Sequence, residues 1–359
     1  AFDAWQHLPG MDCAHLTYGT DCTGMDVPWL ALNMLAKQNA LQHPWSYEFA
    51  CEKDPDAVRF MKQQRNWNPK VIYTDMTKRD VSKMPRVDLY IAGLPCQPFS
   101  VAGKRMGFND PRNMFKYAFQ YIGKCKPHMF ILENVKGIKT GEGGHWYKMI
   151  MQRLRSIKDQ HGKQYYRIVD GIMDTCEHGL PQQRPRWFCV GFSEQHVCQR
   201  AKGEFSFPEP LAPDKCIPLS KIIAGGAGPG QSRVESAVVP TVLTEVDNKL
   251  TEKAEAQMKK NLEAIKGRGI NPSKSHVLID CEASPSRVQW FLNKSPCLTV
   301  SRYQGHWLTS QKRRLSGAEN FRLQGISPMD YNVQDFSWAK LGKFVGNAMT
   351  VNVLERLMF

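Results

Sequence analysis

Val87-Asp88-Leu89-Tyr90-Ile91-Ala92-Gly93-Leu94-Pro95-Cys96-Gln97-Pro98-Phe99-Ser100 is the stretch whose reading decides the fold. Its first half is a short, mostly apolar run that stops at a glycine, the pattern of a strand buried on both faces. Its second half sets a cysteine between two prolines, whose fixed φ would give the thiol a set direction. Short strand-like runs also occupy 47–51, 71–73, 129–132, 165–172 and 187–190, and stretches with helical spacing lie at 29–38, 56–65, 114–124 and 146–158. Strands separated by helix-length segments require crossover connections. The expected fold is therefore α/β, a mostly parallel sheet with helices on both faces. In such sheets ligands bind at the carboxyl ends of the strands, so function is sought in the residues just after each one.

Beyond about Ser193 the character changes. Phe207-Pro208-Glu209-Pro210 and Gly225-Gly226-Ala227-Gly228-Pro229-Gly230 are loop material, and a polar helix is expected over 251–266. Apolar periodicity returns from Pro296, with helices expected at 317–323 and 350–358. The organisation read from this is one α/β domain, residues 1–193 and 296–359, interrupted by an insertion at 194–295.

Composition narrows the function classes. At 359 residues, 42% hydrophobic and 23% charged, the chain has ample length for a core. It has no apolar run of the roughly 18 residues a spanning helix needs, so no membrane partner is expected. No charged-then-apolar leader opens it, so secretion is not expected. A net charge of +14 is read either as attraction to a polyanionic partner or as an uncommitted basic surface. Eleven cysteines, an odd number without Cys-x-x-Cys spacing, fit neither a disulfide framework nor a zinc site. No metal is expected, and the thiols point to a reducing, intracellular setting.

Three strand exits carry chemistry. Cys96 follows the strand at 87–92, and Lys104, Arg105 and Arg112 on the same segment would favour its thiolate. Taken alone, it also reads as an ordinary structural cysteine. Glu133 directly follows the strand at 129–132, where burial makes it a proton-bearing partner; a helix-capping carboxylate is the alternative. In Pro181-Gln182-Gln183-Arg184-Pro185-Arg186, alternating arginines would share one face of a strand, suited to an anion or a base oxygen. The same pattern also fits a basic edge strand guarded against aggregation.

In this order the three segments resemble the cytosine-C5 methyltransferase family. Residues 93–100 with Gly103-Lys104-Arg105-Met106-Gly107-Phe108 and Asp110-Pro111-Arg112 are similar to its nucleophile segment and mobile loop. Glu133-Asn134-Val135 resembles its Glu-Asn-Val motif, and Gln182-x-Arg184-x-Arg186 its Gln-x-Arg-x-Arg motif. Ala318-Glu319-Asn320-Phe321-Arg322-Leu323-Gln324-Gly325 and Val345-Gly346-Asn347-Ala348 are similar to its last two blocks. The likeness covers roughly 16–193 and 296–359 and leaves the insertion unmatched.

The resemblance implies a Rossmann-like fold, S-adenosylmethionine as cofactor, and methyl transfer to C5 of cytosine in double-stranded DNA. It assigns the nucleophile to Cys96, which would add to C6 of a flipped base, with Glu133, Arg186 and Arg184 holding the ring. Gly24, Glu52, Asp75, Pro95 and Asn347 would contact the cofactor. Ser100, Lys104, Arg105, Arg112 and Arg314, with Lys312 and Arg313, would contact nucleic acid. The insertion would read the target. The first turn departs from the family's Phe-x-Gly-x-Gly: Cys22-Thr23-Gly24-Met25-Asp26 lacks the aromatic and the second glycine, and Lys53 replaces an aromatic residue after Glu52. A tRNA-methylating branch is the alternative on substrate, since Pro296-Cys297-Leu298-Thr299 partly matches its Cys-Phe-Thr segment. A non-catalytic nucleic-acid-binding relative is the alternative on class. A monomer is the default, in the nucleus of a eukaryote or otherwise in the cytoplasm.

Overall fold

The computed structural model describes residues 16–39, 45–99, 106–193, 205–223, 239–284 and 287–358. The described residues divide into two compact units, those within 1–173, 185–209 and 354–359, and those within 174–184 and 210–353. The units part at other positions than the composition changes near 193 and 296: residues 296–353 cluster with the second unit.

The first unit is built on a seven-stranded sheet of β1 (Leu16–Asp21), β2 (Trp45–Cys51), β3 (Val71–Tyr73), β4 (Leu89–Gly93), β5 (Met129–Val135), β6 (Tyr166–Asp174) and β7 (Pro185–Ser193). Their spatial order is β3-β2-β1-β4-β5-β7-β6. The first five are parallel to their neighbours, and β7 runs antiparallel to β5. Helices α1 (Val27–Gln38), α2 (Pro55–Lys62), α3 (Phe115–Cys125) and α4 (His145–Arg155) supply crossovers. Leu89, Tyr90, Ile91 and Ala92 are buried, as are Phe130, Ile131 and Leu132. Strands covered on both faces carry no polar alternation, which is why these two were legible as continuous apolar runs.

The chain steps from β1 to β2 on one side and reaches β4 on the other. The carboxyl ends of β1 and β4 therefore flank the point where the strand order reverses, where α/β sheets bind ligands.

Two elements differ from expectation. Residues 16–21 form an interior strand, β1, where no strand-like run was expected. Its polar side chains are satisfied by partners distant in sequence: the Thr17 hydroxyl donates to Asp88 Oδ2 at 2.6 Å, and Thr20 shares a hydrogen bond with the Tyr47 hydroxyl at 2.6 Å. The other lies in the second unit, which holds a four-stranded antiparallel sheet, β8 (Val277–Ile279), β9 (Trp290–Leu292), β10 (Trp307–Leu308) and β11 (Arg313–Arg314), in the order β11-β10-β8-β9. With it are α5 (Leu219–Ile223), α6 (Thr241–Thr244), α7 (Glu252–Gly267), α8 (Gly317–Leu323) and α9 (Trp338–Asn347), and α10 (Val351–Met358) follows. α9 was not anticipated because it contains two glycines, which weaken a helix. At Gly346 a Cβ would lie 2.4 Å from the Thr299 carbonyl carbon, so close backbone approach excludes any other residue.

Candidate active site

β4 and β5 lie side by side with Gly93 opposite Glu133. Leaving β4 the chain turns at once: Phe99 N–H donates to the Cys96 carbonyl and Gly107 N–H to the Pro98 carbonyl, both at 3.0 Å. Phe99 anchors this loop in the aromatic core, with ring centroids 5.4 Å from Phe115 and 5.2 Å from Trp146. Asn134, fully buried beside Glu133, donates from Nδ2 to the Leu94 carbonyl at 3.1 Å and so ties the exit of β4 to β5. The loop carrying Pro95 and Cys96 is thereby fixed at both ends, with Cys96 a reduced, half-buried thiol. Arg112 donates to Asp110 from Nε and Nη2 at 2.8 and 2.6 Å. The Asp110 hydrogen bonds hold its guanidinium charge most strongly, and Cys96 adds to the effect. Arg112, one of the three cations expected to favour the thiolate, is thus paired with Asp110. Ser100, Lys104 and Arg105 lie outside the described residues.

β5 runs past the expected end at Leu132 because β7 extends the ladder, pairing Glu133 with Phe188 and Val135 with Arg186. That register sets Arg186 diagonally beside Glu133, with Nε 3.1 Å from Oε1. Glu133 is 8% exposed. The sheet thus presents a carboxylate and a guanidinium as one unit, next to the strand exit that carries the thiol.

At the carboxyl ends of β1, β2 and β3 lie three of the five predicted cofactor residues, Gly24, Glu52 and Asp75; Pro95 follows β4, and Asn347 belongs to the second unit. Glu52 follows β2, and its N–H donates to the Tyr73 carbonyl at 3.0 Å. Its carboxylate accepts from Gly24 N–H at 2.7 Å and from Asp54 N–H at 2.8 Å. Gly24 has φ +58°, and a Cβ there would meet nothing nearer than the Cys22 carbonyl at 4.0 Å, so the turn keeps an open flank. Asp75 follows β3. Hydrogen bonds from Thr77 hold its carboxyl below the usual range, and Lys53 lies 3.7 Å away. A backbone turn with an open flank, next to two acids at successive strand exits, fits an adenosyl group whose ribose presents hydroxyl donors.

In the second unit the remaining motif residues do different work. Arg184 is 2% exposed. Its Nη1 donates to the Leu298 carbonyl at 2.6 Å, and its Nη2 to the Ala348 and Gly346 carbonyls at 2.6 and 3.2 Å. This corrects the expectation that Arg184 shares a base-binding face with Arg186: it precedes β7, and its guanidinium clamps backbone. Gln182, fully buried, donates to the Leu323 carbonyl at 2.8 Å and accepts from Leu298 N–H at 3.1 Å. Gln324 donates to the Val345 carbonyl at 2.7 Å. The late motifs are therefore interlocked through backbone carbonyls, with Asn347 exposed at the end of α9. Arg314 is also corrected. It is 1% exposed, donating to the Gly305 carbonyl at 2.7 Å and to Glu282 at 2.5 Å, so it cannot face a phosphate. Arg313 pairs with Glu319 at 2.7 Å, and Lys312 is exposed.

Asp21 and Asp26, both buried, were given no role by the sequence reading. Asp21 ends β1 in a buried ion pair with Arg79, and it accepts from the Tyr90 hydroxyl at 2.5 Å. Arg79 stands over the Phe49, Tyr73 and Tyr121 rings at 5.8, 5.9 and 5.7 Å. Asp26 caps α1, and the Asp26-Val27-Pro28 spelling is a helix-start signal that would have found it.

Known proteins bear on this geometry. A family model described as C-5 cytosine-specific DNA methylase matches residues 35–358. The Type II methyltransferase M.HaeII of Haemophilus aegyptius is 30% identical over 286 residues, covering 79% of this chain and 77% of that protein. M.NgoBI of Neisseria gonorrhoeae is 29% identical over 284 residues, covering 79% and 76%. In fold the chain is similar to the S. pombe Dnmt2 methyltransferase (TM-score 0.51, 15% identity, 96% and 97% covered). It is also similar to the Entamoeba histolytica methyltransferase EhMeth (TM-score 0.56, 14% identity, 96% and 97% covered).

Proposed function

Because the chain belongs to the C-5 cytosine-specific DNA methylase family, we propose that it methylates C5 of cytosine in double-stranded DNA through a covalent adduct between Cys96 and C6 of a flipped base. The observation that carries this reading is the Glu133–Arg186 pair, 3.1 Å apart, beside the strand exit that bears Cys96. Cytosine C5 is a weak nucleophile. Addition of the Cys96 thiolate to C6 forms an S–C6 bond and gives C5 enamine character. Glu133 hydrogen-bonds at N3 and the exocyclic amine and relieves the charge that develops there. Arg186 donates to O2 and holds the ring in line, while Arg184 positions the segment that precedes it. C5 would then take the methyl group, its new bond to carbon replacing that carbon's bond to the donor sulfur; loss of the C5 proton to water and expulsion of the Cys96 thiolate restore the aromatic ring. A ring stacked in a duplex cannot reach a thiol on a loop, so the base is extruded.

S-adenosylmethionine supplies the electrophilic methyl group when bound. Gly24, Glu52, Asp75 and Pro95 would hold it, and the family pattern assigns Asn347 to its methionine end. Duplex phosphates would meet Arg112 with Lys104 and Arg105. The stretch 194–295 would read the target with Lys259, Lys260, Lys266, Arg268, Lys274 and Arg287, all exposed. On this reading the protein works inside the cell, in the nucleus if its source is eukaryotic and otherwise in the cytoplasm or nucleoid.

The test is methyl incorporation from radiolabelled cofactor into duplex DNA and tRNA in parallel, followed by base-resolution sequencing. Label at C5 of cytosine in DNA is the expected result. Label in tRNA alone would move the substrate to RNA, and label in neither would refute the activity.

A further inference from the structure

The turn at 22–26 lacks the second glycine of the pattern it resembles, and the structure shows what stands in its place. Asp26 has φ 51° and ψ 57°, the left-handed conformation that glycine adopts freely and that aspartate tolerates better than most residues. Its side chain then does what glycine could not. Fully buried, it accepts from Trp29 N–H at 3.2 Å on one oxygen; the other accepts from the Tyr47 hydroxyl at 2.5 Å and Trp67 Nε1 at 2.7 Å. Tyr47 belongs to β2 and stacks on Tyr18 of β1, with centroids 4.2 Å apart and planes at 15°. Its hydroxyl also meets Thr20, which bonds Thr23 at 2.9 Å.

Thr23 in turn brackets Cys51, its N–H donating to the Cys51 carbonyl and its hydroxyl accepting from Cys51 N–H, both at 3.1 Å. Gly24 is thus held from both sides, by Thr23 on the end of β2 and by Asp26 on Tyr47 and Trp67. Its N–H points at Glu52 Oε2. An exposed serine or asparagine would cap a helix equally well. Burying a carboxylate is costly unless several donors compensate, so a network this complete implies a demand beyond capping.

We propose that Asp26 is a positioning residue for the cofactor, acting through Gly24 and Glu52 without touching the ligand: it locks the turn whose open flank receives the adenosyl group. This rests on the assignment of Gly24 and Glu52 to cofactor binding given above. In this chain side-chain hydrogen bonds into β2 and Trp67 replace the missing glycine as the source of the turn's shape.

The test is calorimetric binding of S-adenosylhomocysteine to the full chain, with the KM for S-adenosylmethionine and kcat measured beside it. The variants are Glu52→Ala, Asp26→Gly, Asp26→Asn and Trp67→Phe. Asp26→Gly keeps the backbone conformation but loses the anchor. It should raise Kd and KM about tenfold, the order of one lost charge-assisted hydrogen bond, with kcat at saturation within about twofold. Asp26→Asn, which keeps the cap and tolerates the conformation, should recover part of that loss. Trp67→Phe removes a single donor from a packed ring and should raise Kd about threefold; it decides the matter if Asp26→Gly fails to fold. Weakening by Glu52→Ala together with wild-type affinity in Asp26→Gly and Trp67→Phe overturns the role of Asp26 alone. Wild-type affinity in Glu52→Ala, or no binding by the natural chain, overturns the cofactor assignment and this inference with it.

Discussion

Asp26→Asn also probes a competition that the fold sets up around one carboxyl group. Burial pushes the Asp26 carboxyl up, hydrogen bonds from Tyr47, Trp67 and Trp29 pull it down, and burial wins, leaving it at about 6. In the unfolded chain the same group titrates near its ordinary value of about 3.9. Between those two values the native state holds the proton more tightly than the unfolded state. Stability attributable to Asp26 is therefore greatest below about pH 4, falls as pH rises to about 6, and is flat above. A gap of about two units at about 1.4 kcal/mol each makes the total loss about 3 kcal/mol.

Asparagine carries no such titration. The unfolding free energy of Asp26→Asn minus that of the natural protein should rise by about 2 kcal/mol from pH 4 to pH 7, whatever constant offset the altered hydrogen bonds introduce. Urea unfolding followed by tryptophan fluorescence measures it, and subtraction cancels the other titrating groups. Parallel curves would refute the reasoning. A difference that shrinks with pH would show that the three donors outweigh burial.

Other substitutions separate chemistry from scaffolding. Glu133→Gln should slow the single-turnover rate about 100-fold or more in rapid-quench assays, because it removes both the proton partner and the charge opposite Arg186; an unchanged rate would deny it a role. Arg186→Ala should weaken capture of a flipped cytosine, read as a fall in the complex trapped on a 5-fluorocytosine duplex, and undiminished trapping would count against it. Arg79→Met strands Asp21 without its partner and should cost about 3–5 kcal/mol in urea unfolding. The double change Asp21→Leu with Arg79→Met should recover most of that loss, and equal instability of single and double variants would show that the pair is not the cause.

What was legible in the sequence follows from where each residue finds its partners. β4 and β5 are buried on both faces and satisfied by neighbouring backbone, so their apolar runs announced them. β1 hides Thr17, Thr20 and Asp21, whose partners Asp88, Tyr47 and Arg79 come from elsewhere in the chain. Local pattern cannot see such compensation. Cys96, Glu133 and Arg186 sit on strands or at their exits in the order the motifs suggested, and the register of β4, β5 and β7 supplies the rest. Two-residue alternation puts Arg184 on the face of Arg186, whereas its acceptors at Leu298, Gly346 and Ala348 are more than a hundred residues away and draw it elsewhere. Arg314 looked like a surface cation because its neighbours are basic; only the fold reveals Glu282 beside it. Asp26 was noted as a missing glycine, and its gain of Tyr47 and Trp67 is a tertiary fact.

The most direct test of the central claim is peptide mass spectrometry of the natural protein and Cys96→Ser after incubation with cofactor and a 5-fluorocytosine duplex. The account predicts a protein–oligonucleotide conjugate mapped to Cys96 in the natural protein and none in the variant. Methylated ordinary duplex accumulating from Cys96→Ser, or a conjugate mapped to another side chain, would contradict it.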